Sequence, residues 1–278
     1  MTSIAELLRE AKQRLTPAVE SAALEAAILL AYVLKKSREF LLTWPEKNID
    51  TQQAAIFFSL IERRKNGEPI AYITGQRAFW DFDLHVTPDV LIPRHDTELL
   101  VELSIEKLPQ SPITIADLGT GSGAIAFALA RMCPQWQVLA VDVSDKACKV
   151  AELNRQTLNI ENTQVIQSTW CDAFQANCLD AIISNPPYIA ADDEHILQGD
   201  LRFEPHTALI AAQNGLADLY YIIAQAKTCL KPKAWLLLEH GWQQGPDVRR
   251  YLVDAGYQSV ETCRDLAGQE RVSMGQWP

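Results

Sequence analysis

Residues 113–132 read ITIADLGTGSGAIAFALARM. An apolar run ends at Leu118, glycines follow at 119, 121 and 123, and an alanine-rich segment with helical periodicity starts at once. Glycine permits a tight turn here and lets the backbone approach a ligand where a Cβ would collide. The same glycines would also serve close packing of a strand on a helix. Strand, glycine turn and helix in this order open a βαβ unit, and the chain beyond Met132 repeats the alternation.

Working outward, strands are predicted at 113–118, 137–143, 163–168, 179–184, 234–240, 257–263 and 270–276. Helices are predicted at 123–132, 145–158, 215–230 and 245–256. This order implies an α/β fold, a Rossmann-like, mostly parallel sheet covered on both faces. The last two strands lie too close together for an intervening helix, which predicts an antiparallel hairpin at the sheet edge. Upstream, IAELLREAKQRL, AALEAAILLAYVLKK and TQQAAIFFSLIERRKNG each place apolar residues three and four apart, the pattern of a small helical bundle. In the third, Thr51 is the expected N-cap and Gly67 the expected C-cap, with the basic end complementing the helix dipole. The aromatic, partly alternating AYITGQRAFWDFDLHVTPDV predicts a strand hairpin and connector. The domain division is 1–73 helical, 74–93 β-hairpin connector and 94–278 the α/β domain.

With 278 residues, 48% hydrophobic and 22% charged, the composition is that of a globular protein, and no apolar run is long enough to span a bilayer. The opening MTSIAELLREAKQRL lacks the basic-then-apolar order of a secretory signal, so the cytoplasm is the expected location. Six cysteines without a C-x-x-C pair and five histidines without metal-ligand spacing suggest neither a disulfide framework nor a metal site. A net charge of −10 disfavours a surface that grips a long stretch of nucleic acid, and no membrane association is expected.

The turn at Gly119, Thr120, Gly121, Ser122 and Gly123 is the candidate cofactor cradle. Asp142 ends the second strand about twenty residues on, where a carboxylate can accept hydrogen bonds from both hydroxyls of a ribose. A nicotinamide dinucleotide is formally allowed, because Ala124 can fill the third slot of its fingerprint. Asp117, just before the glycines, could hold a cationic group such as an ammonium. Trp170, after the third strand, could wall an adenine or belong to the core, and Asp172 could meet the adenine amino group. S-adenosylmethionine has a ribose, an adenine, an ammonium and a sulfonium but no phosphates, and it satisfies these observations together.

The fourth strand, LDAIIS, stops in Asn185-Pro186-Pro187-Tyr188. Prolines end a strand for steric reasons, so an ordinary loop is the bland reading. Ligands of open α/β sheets bind outside the carboxyl ends of the strands, however, which puts Asn185 beside the glycine turn. Two rigidly held carbonyls, the Asn185 side chain and the Pro186 backbone, can accept both hydrogens of a planar NH₂ group and aim its nitrogen at a methyl donor. Tyr188 can pack against that group and exclude water.

With both motifs on one sheet edge the chain resembles class I S-adenosylmethionine-dependent methyltransferases. Within them it closely resembles the peptide chain release factor glutamine methyltransferases (the PrmC/HemK family). The resemblance spans GEPIAYITGQRAFW, LIPRHDTE, DLGTGSGAIA, AVDVS, SNPPYI, RFEPHTAL, LLLEHGWQQG and the closing ERV. It implies methylation of the glutamine amide in the Gly-Gly-Gln motif of class 1 release factors, with S-adenosylhomocysteine as product and no metal. It further implies that Gly119–Gly123, Asp142, Trp170 and Asn185 contact the cofactor, that Asn185–Tyr188 grip the glutamine, and that the N-terminal helices help bind the release factor. Thr169 stands where close relatives can carry an acidic residue, with Asp172 a possible substitute. Arg94 and Glu98 could shape the mouth of the site or form an interdomain ion pair. Phe203, Glu204 and Pro205 could line the glutamine entrance or only fix a loop. The tetrapeptide is shared with amino-methylating DNA enzymes, which are the first alternative, and a non-catalytic binding module on the same fold is another.

Overall fold

The computed structural model describes residues 2–278, which divide into two compact units. One comprises the residues up to Gln76 together with Leu197–Phe203; the other comprises Arg77–Ile196 and Glu204–Pro278.

The first unit is built from helices Ile4–Leu15, Ala22–Leu34, Arg38–Thr43, Thr51–Lys65 and Ile70–Thr74. Ile4, Leu7, Ala11 and Leu15 recur at helical spacing, and all are buried against Leu29, Leu30, Phe57 and Ile61. Ser3 caps the first helix in a reciprocal capping box with Glu6. Asp50, rather than Thr51, caps the fourth, its carboxylate accepting from the Gln53 amide at 2.9 Å. Both side chains suit the role, and the chain turns helical one residue earlier than the sequence suggests. At the far end Asn66 is the C-cap and Gly67 follows at φ +97°. Arg64 does more there than complement a dipole. Its buried guanidinium bonds Glu25 at 2.6 Å, Asp200 at 2.9 Å and the carbonyls of Gly67 and Glu68, which fastens Leu197–Phe203 to this unit. Ile70–Thr74 is a helical turn between Pro69 and a left-handed Gly75, where the aromatic pattern suggests extended chain. The expected hairpin follows as Gln76–Phe79 and Phe82–His85.

The second unit contains a seven-stranded sheet. Its strands are β1 (Thr114–Leu118), β2 (Gln137–Asp142), β3 (Thr163–Gln167), β4 (Leu179–Ser184), β5 (Leu230–Glu239), β6 (Gln258–Arg264) and β7 (Glu270–Gln276). Their spatial order is β6-β7-β5-β4-β1-β2-β3. The first five run parallel, and β7 lies antiparallel between β5 and β6. The fold is therefore the Rossmann-like sheet with an antiparallel edge hairpin that the sequence implies. Strand β5 begins four residues earlier than expected, with a register shift between Leu230 and Trp235 where Pro232 cannot donate to the ladder. Helix Ala217–Cys229 contributes Leu219, Ile222, Ile223 and Ala226 to a core shared with β1, β4 and β5.

Strand order reverses at β1 and β4, since the chain proceeds from β1 to β2 and β3 on one side and from β4 to β5 on the other. A crevice opens at the carboxyl ends of such a pair. No helix among the described residues is long and apolar enough to cross a membrane.

Candidate active site

Strand β1 delivers the glycine turn to this crevice. Gly119, Gly121 and Gly123 adopt φ of +75°, +55° and +89°, a region that other residues enter only with strain. The turn is tied to the neighbouring strand: the amides of Gly119 and Thr120 both donate to the Val141 carbonyl. The Gly121 amide donates to Asp142 Oδ2 at 2.9 Å, and Asp142 Oδ1 accepts from the Ser144 amide at 2.9 Å. Each carboxylate oxygen keeps a further lone pair for a ligand. Behind the turn, the buried side chain of Asn154 donates to the carbonyls of Ser122 and His85, both at 2.9 Å.

A cavity of about 270 Å³ lies over these groups. Gly119, Gly121, Asp142, Trp170, Asn185 and Pro187 line it. Trp170, itself at φ +44°, approaches to 3.4 Å of where a Cβ on Gly119 would stand. Asp172 is not among the lining residues, and Gln225 engages its carboxylate at 3.0 Å. The connector contributes Asp89, Val90 and Leu91, and Asp218 comes from the helix before β5. Sequence reasoning misses these residues, because only the tertiary fold brings them to the sheet edge. Asp142 and Asp218, with no lysine or arginine in the lining, suit a cationic, hydroxyl-bearing ligand and match a pyrophosphate poorly, while the carboxylate of Asp89 is paired with Lys146 at 2.9 Å. Burial raises the pKa of Asp142 and of Asp218. Beneath the turn, Asp117 is wholly buried, and burial pushes its carboxyl up to about 7 although Thr120 donates to it at 2.6 Å and the Ala126 amide at 3.2 Å. Its second oxygen has no hydrogen-bond partner, an open acceptor of the kind an ammonium group takes, although Asp117 lies beneath the turn and does not line the cavity. These residues fit S-adenosylmethionine.

Asn185 also lines a smaller cleft of about 50 Å³ with Pro93, Arg94, Thr97 and the glycine turn, so it stands between the two cavities. The β4 ladder stops at Ser184, which pairs with Leu118 and Leu238, leaving the prolines outside the sheet. The Asn185 amide nitrogen donates to Thr97 Oγ1 at 3.1 Å. Pro186 is buried and Pro187 reaches the larger cavity. Tyr188 lines neither cavity; its hydroxyl donates to Glu239 at 3.2 Å and its carbonyl accepts from Gln244 at 3.0 Å.

Arg94 pairs with the buried Glu204 at 2.6 Å. Both belong to the second unit, so this is not the interdomain ion pair that the sequence allowed. Glu98 accepts from the Trp80 amide at 3.3 Å. Phe203 stays with the first unit, where the Arg202 guanidinium lies 4.9 Å above its ring.

Residues 6–75 match the profile described as the PrmC N-terminal domain, and residues 96–200 match the methyltransferase small domain. The release factor glutamine methyltransferase of Shewanella oneidensis is 46% identical over 99% of this chain and 96% of its own. That of Pseudomonas aeruginosa is 48% identical over 100% of this chain and 99% of its own. The crystal structure of a methyltransferase from Pyrococcus furiosus shares the fold, with a TM-score of 0.53 at 17% identity, over 79% of this chain and 96% of that one. The chain belongs to the release factor glutamine methyltransferase family.

Proposed function

We infer that this protein transfers a methyl group from S-adenosylmethionine to the side-chain amide nitrogen of the glutamine in the Gly-Gly-Gln motif of class 1 release factors. One observation carries the reading: Thr97 occupies the Asn185 amide nitrogen, so Asn185 Oδ1 is left to accept at the boundary of the two cavities.

An amide nitrogen is a poor nucleophile because its lone pair is delocalised, and removing its proton would need an extremely strong base. S-adenosylmethionine supplies, when bound, a methyl group made electrophilic by its sulfonium. Asn185 Oδ1 and the Pro186 carbonyl each accept one amide hydrogen and thereby fix the direction of the nitrogen. As positive charge develops on that nitrogen both carbonyl dipoles strengthen their hold, an effect concentrated in the transition state. Orientation of this kind can supply up to about 7–11 kcal/mol in favourable intramolecular reactions. No titrating base is needed, because the C–N bond forms as the methyl–sulfur bond breaks and the methylated amide, cationic and strongly acidic, then loses one N–H proton to water. Gly119–Gly123, Asp142 and Trp170 hold the cofactor, Pro187 closes the wall between cofactor and substrate, and Tyr188 anchors the turn. Residues 1–73 bind the release factor, 74–93 connect, and 94–278 carry the chemistry, in the cytoplasm where release factors act.

The test is incubation with methyl-labelled S-adenosylmethionine and, separately, release factor, release factor lacking the glutamine, and double-stranded DNA. Label on the first alone supports the reading. Label on DNA with none on release factor overturns it in favour of a nucleic-acid amino-methyltransferase.

A further inference from the structure

The turn at 185–188 cannot be held by its own backbone: neither Pro186 nor Pro187 has an N–H to give, and the β4 ladder stops at Ser184. Its far end is fixed through the peptide group that joins Tyr188 to Ile189. On one side of that group the Ile189 amide donates to the Leu209 carbonyl at 2.9 Å, opening a short parallel pairing of Ile189–Ala190 with Ile210–Ala211. On the other side the Tyr188 carbonyl accepts from Gln244 Nε2 at 3.0 Å.

Gln244 stands just past β5, at the N-cap of helix Gly245–Asp254, and its own amide donates to the Gly241 carbonyl at 2.8 Å. Its Oε1 accepts from the Gly241 amide at 2.9 Å, and because that amide can only donate, the other end of the side chain must be NH₂. The second NH₂ hydrogen goes to the Asn214 carbonyl at 3.2 Å. Asn214 lies among three successive left-handed residues, Gln213, Asn214 and Gly215, at φ of +53°, +56° and +82°. Two non-glycine residues in that region persist only where their surroundings impose it. One side chain thus ties the end of β5 both to the Tyr188 carbonyl and to the segment 209–215, which pins the Ile189 amide.

We propose that Gln244 is a positioning residue for methyl transfer: by donating to the Tyr188 and Asn214 carbonyls it fixes the peptide plane behind Tyr188, and with it the direction in which the clamp faces the substrate. This rests on the reading of Asn185 Oδ1 and the Pro186 carbonyl as acceptors for the glutamine NH₂. The sheet holds the near end of the turn through Ser184, and Thr97 takes the Asn185 amide nitrogen. Two consecutive prolines are stiff, so a rotation of the 188–189 peptide plane is not absorbed between them and is passed back to the Pro186 carbonyl. Glutamate at 244 is the informative contrast. It has the same size and keeps an acceptor for the Gly241 amide, but it presents lone pairs to two carbonyls. Acceptor then meets acceptor at both, and the turn loses its outer support.

The experiment is single-turnover methyl transfer to intact release factor at about pH 8, where a glutamate is ionised. Gln244→Glu and Gln244→Met are compared with wild type and then combined with Asn185→Ala, and cofactor affinity is measured for each. Both single variants should lose on the order of ten- to a hundredfold in rate, the scale on which small misplacement of reacting groups acts. Their cofactor Kd should stay within about threefold of wild type. In the Asn185→Ala background the further loss should shrink to about threefold or less, because both residues act through one clamp. Should Gln244→Glu not fold, Gln244→Met decides by the same criteria. A wild-type rate in Gln244→Glu, a loss that follows cofactor affinity, or losses that multiply in full with Asn185→Ala overturns the proposal while leaving the methyltransferase reading standing. Wild-type protein that does not methylate release factor overturns both.

Discussion

The Ser184 hydroxyl donates to the Leu118 carbonyl at 2.6 Å, in a fully buried contact between the last residues of β4 and β1. One strand carries the Asn-Pro-Pro-Tyr turn and the other the glycine turn. The bond locks the two carboxyl ends in register, so the sheet itself sets the separation between the two turns, which on the proposed reading hold the methyl acceptor and the methyl donor. Transfer to a weak nucleophile depends on such fixed separation more than on any acid or base.

The Asn-Pro-Pro-Tyr turn is supported from behind by a second turn. Gly215 sits at φ +82°, and a Cβ there would run into the Tyr188 carbonyl. Gly215→Ala must therefore either strain its own backbone or displace Tyr188. We expect a stability loss of about 1–3 kcal/mol and a larger proportional fall in kcat than in cofactor affinity. Thermal unfolding together with steady-state kinetics checks this, and unchanged kcat would remove the second turn from the account.

On the proposed reading, in which Asp117 meets the ammonium of the cofactor, binding should be proton-linked. The pKa of Asp117 rises from 3.8 unfolded to about 7 folded, chiefly through burial. With the folded value raised, the stability held by the protonated form is complete below the unfolded pKa and is lost as pH rises through about 7. A cationic cofactor favours the carboxylate, so binding should expel a proton between those two values and tighten as pH rises through the window. Calorimetric titration at about pH 6 in two buffers of different ionisation enthalpy should give different apparent enthalpies. Asp117→Asn should abolish the difference. Identical enthalpies for the wild type would mean that Asp117 does not meet the cationic group.

The sheet was legible because its signals are local. LDAIIS reads as a strand because the prolines after it cannot extend a ladder, and the glycines at 119, 121 and 123 can hardly be read as anything but a turn. Turn-level readings failed where two neighbours were equally competent, as at Asp50 and Thr51. Long-range partners left no trace. Arg94 and Glu204, 110 residues apart, are joined only by the fold. The same holds for the cavity groups Asp89 and Asp218, whose immediate surroundings are those of ordinary surface carboxylates. Asp172 illustrates the converse: it follows the expected tryptophan, yet Gln225 takes its carboxylate and it does not line the cavity. Glu239 lay in full view at the end of a predicted strand, but one strand cannot reveal that the Tyr188 hydroxyl from another element meets it.

The central claim is that Asn185 acts by holding the substrate amide rather than by holding the cofactor alone. The most direct test is the single-turnover rate of methyl transfer to release factor by Asn185→Ala, measured on the glutamine-containing peptide by mass spectrometry alongside cofactor affinity. We predict a rate lower by about a hundredfold or more, the scale on which loss of one well-aimed polar contact acts in other enzymes, with the cofactor Kd within about threefold of wild type. Transfer at the wild-type rate, or a loss fully explained by weakened cofactor binding, would contradict it.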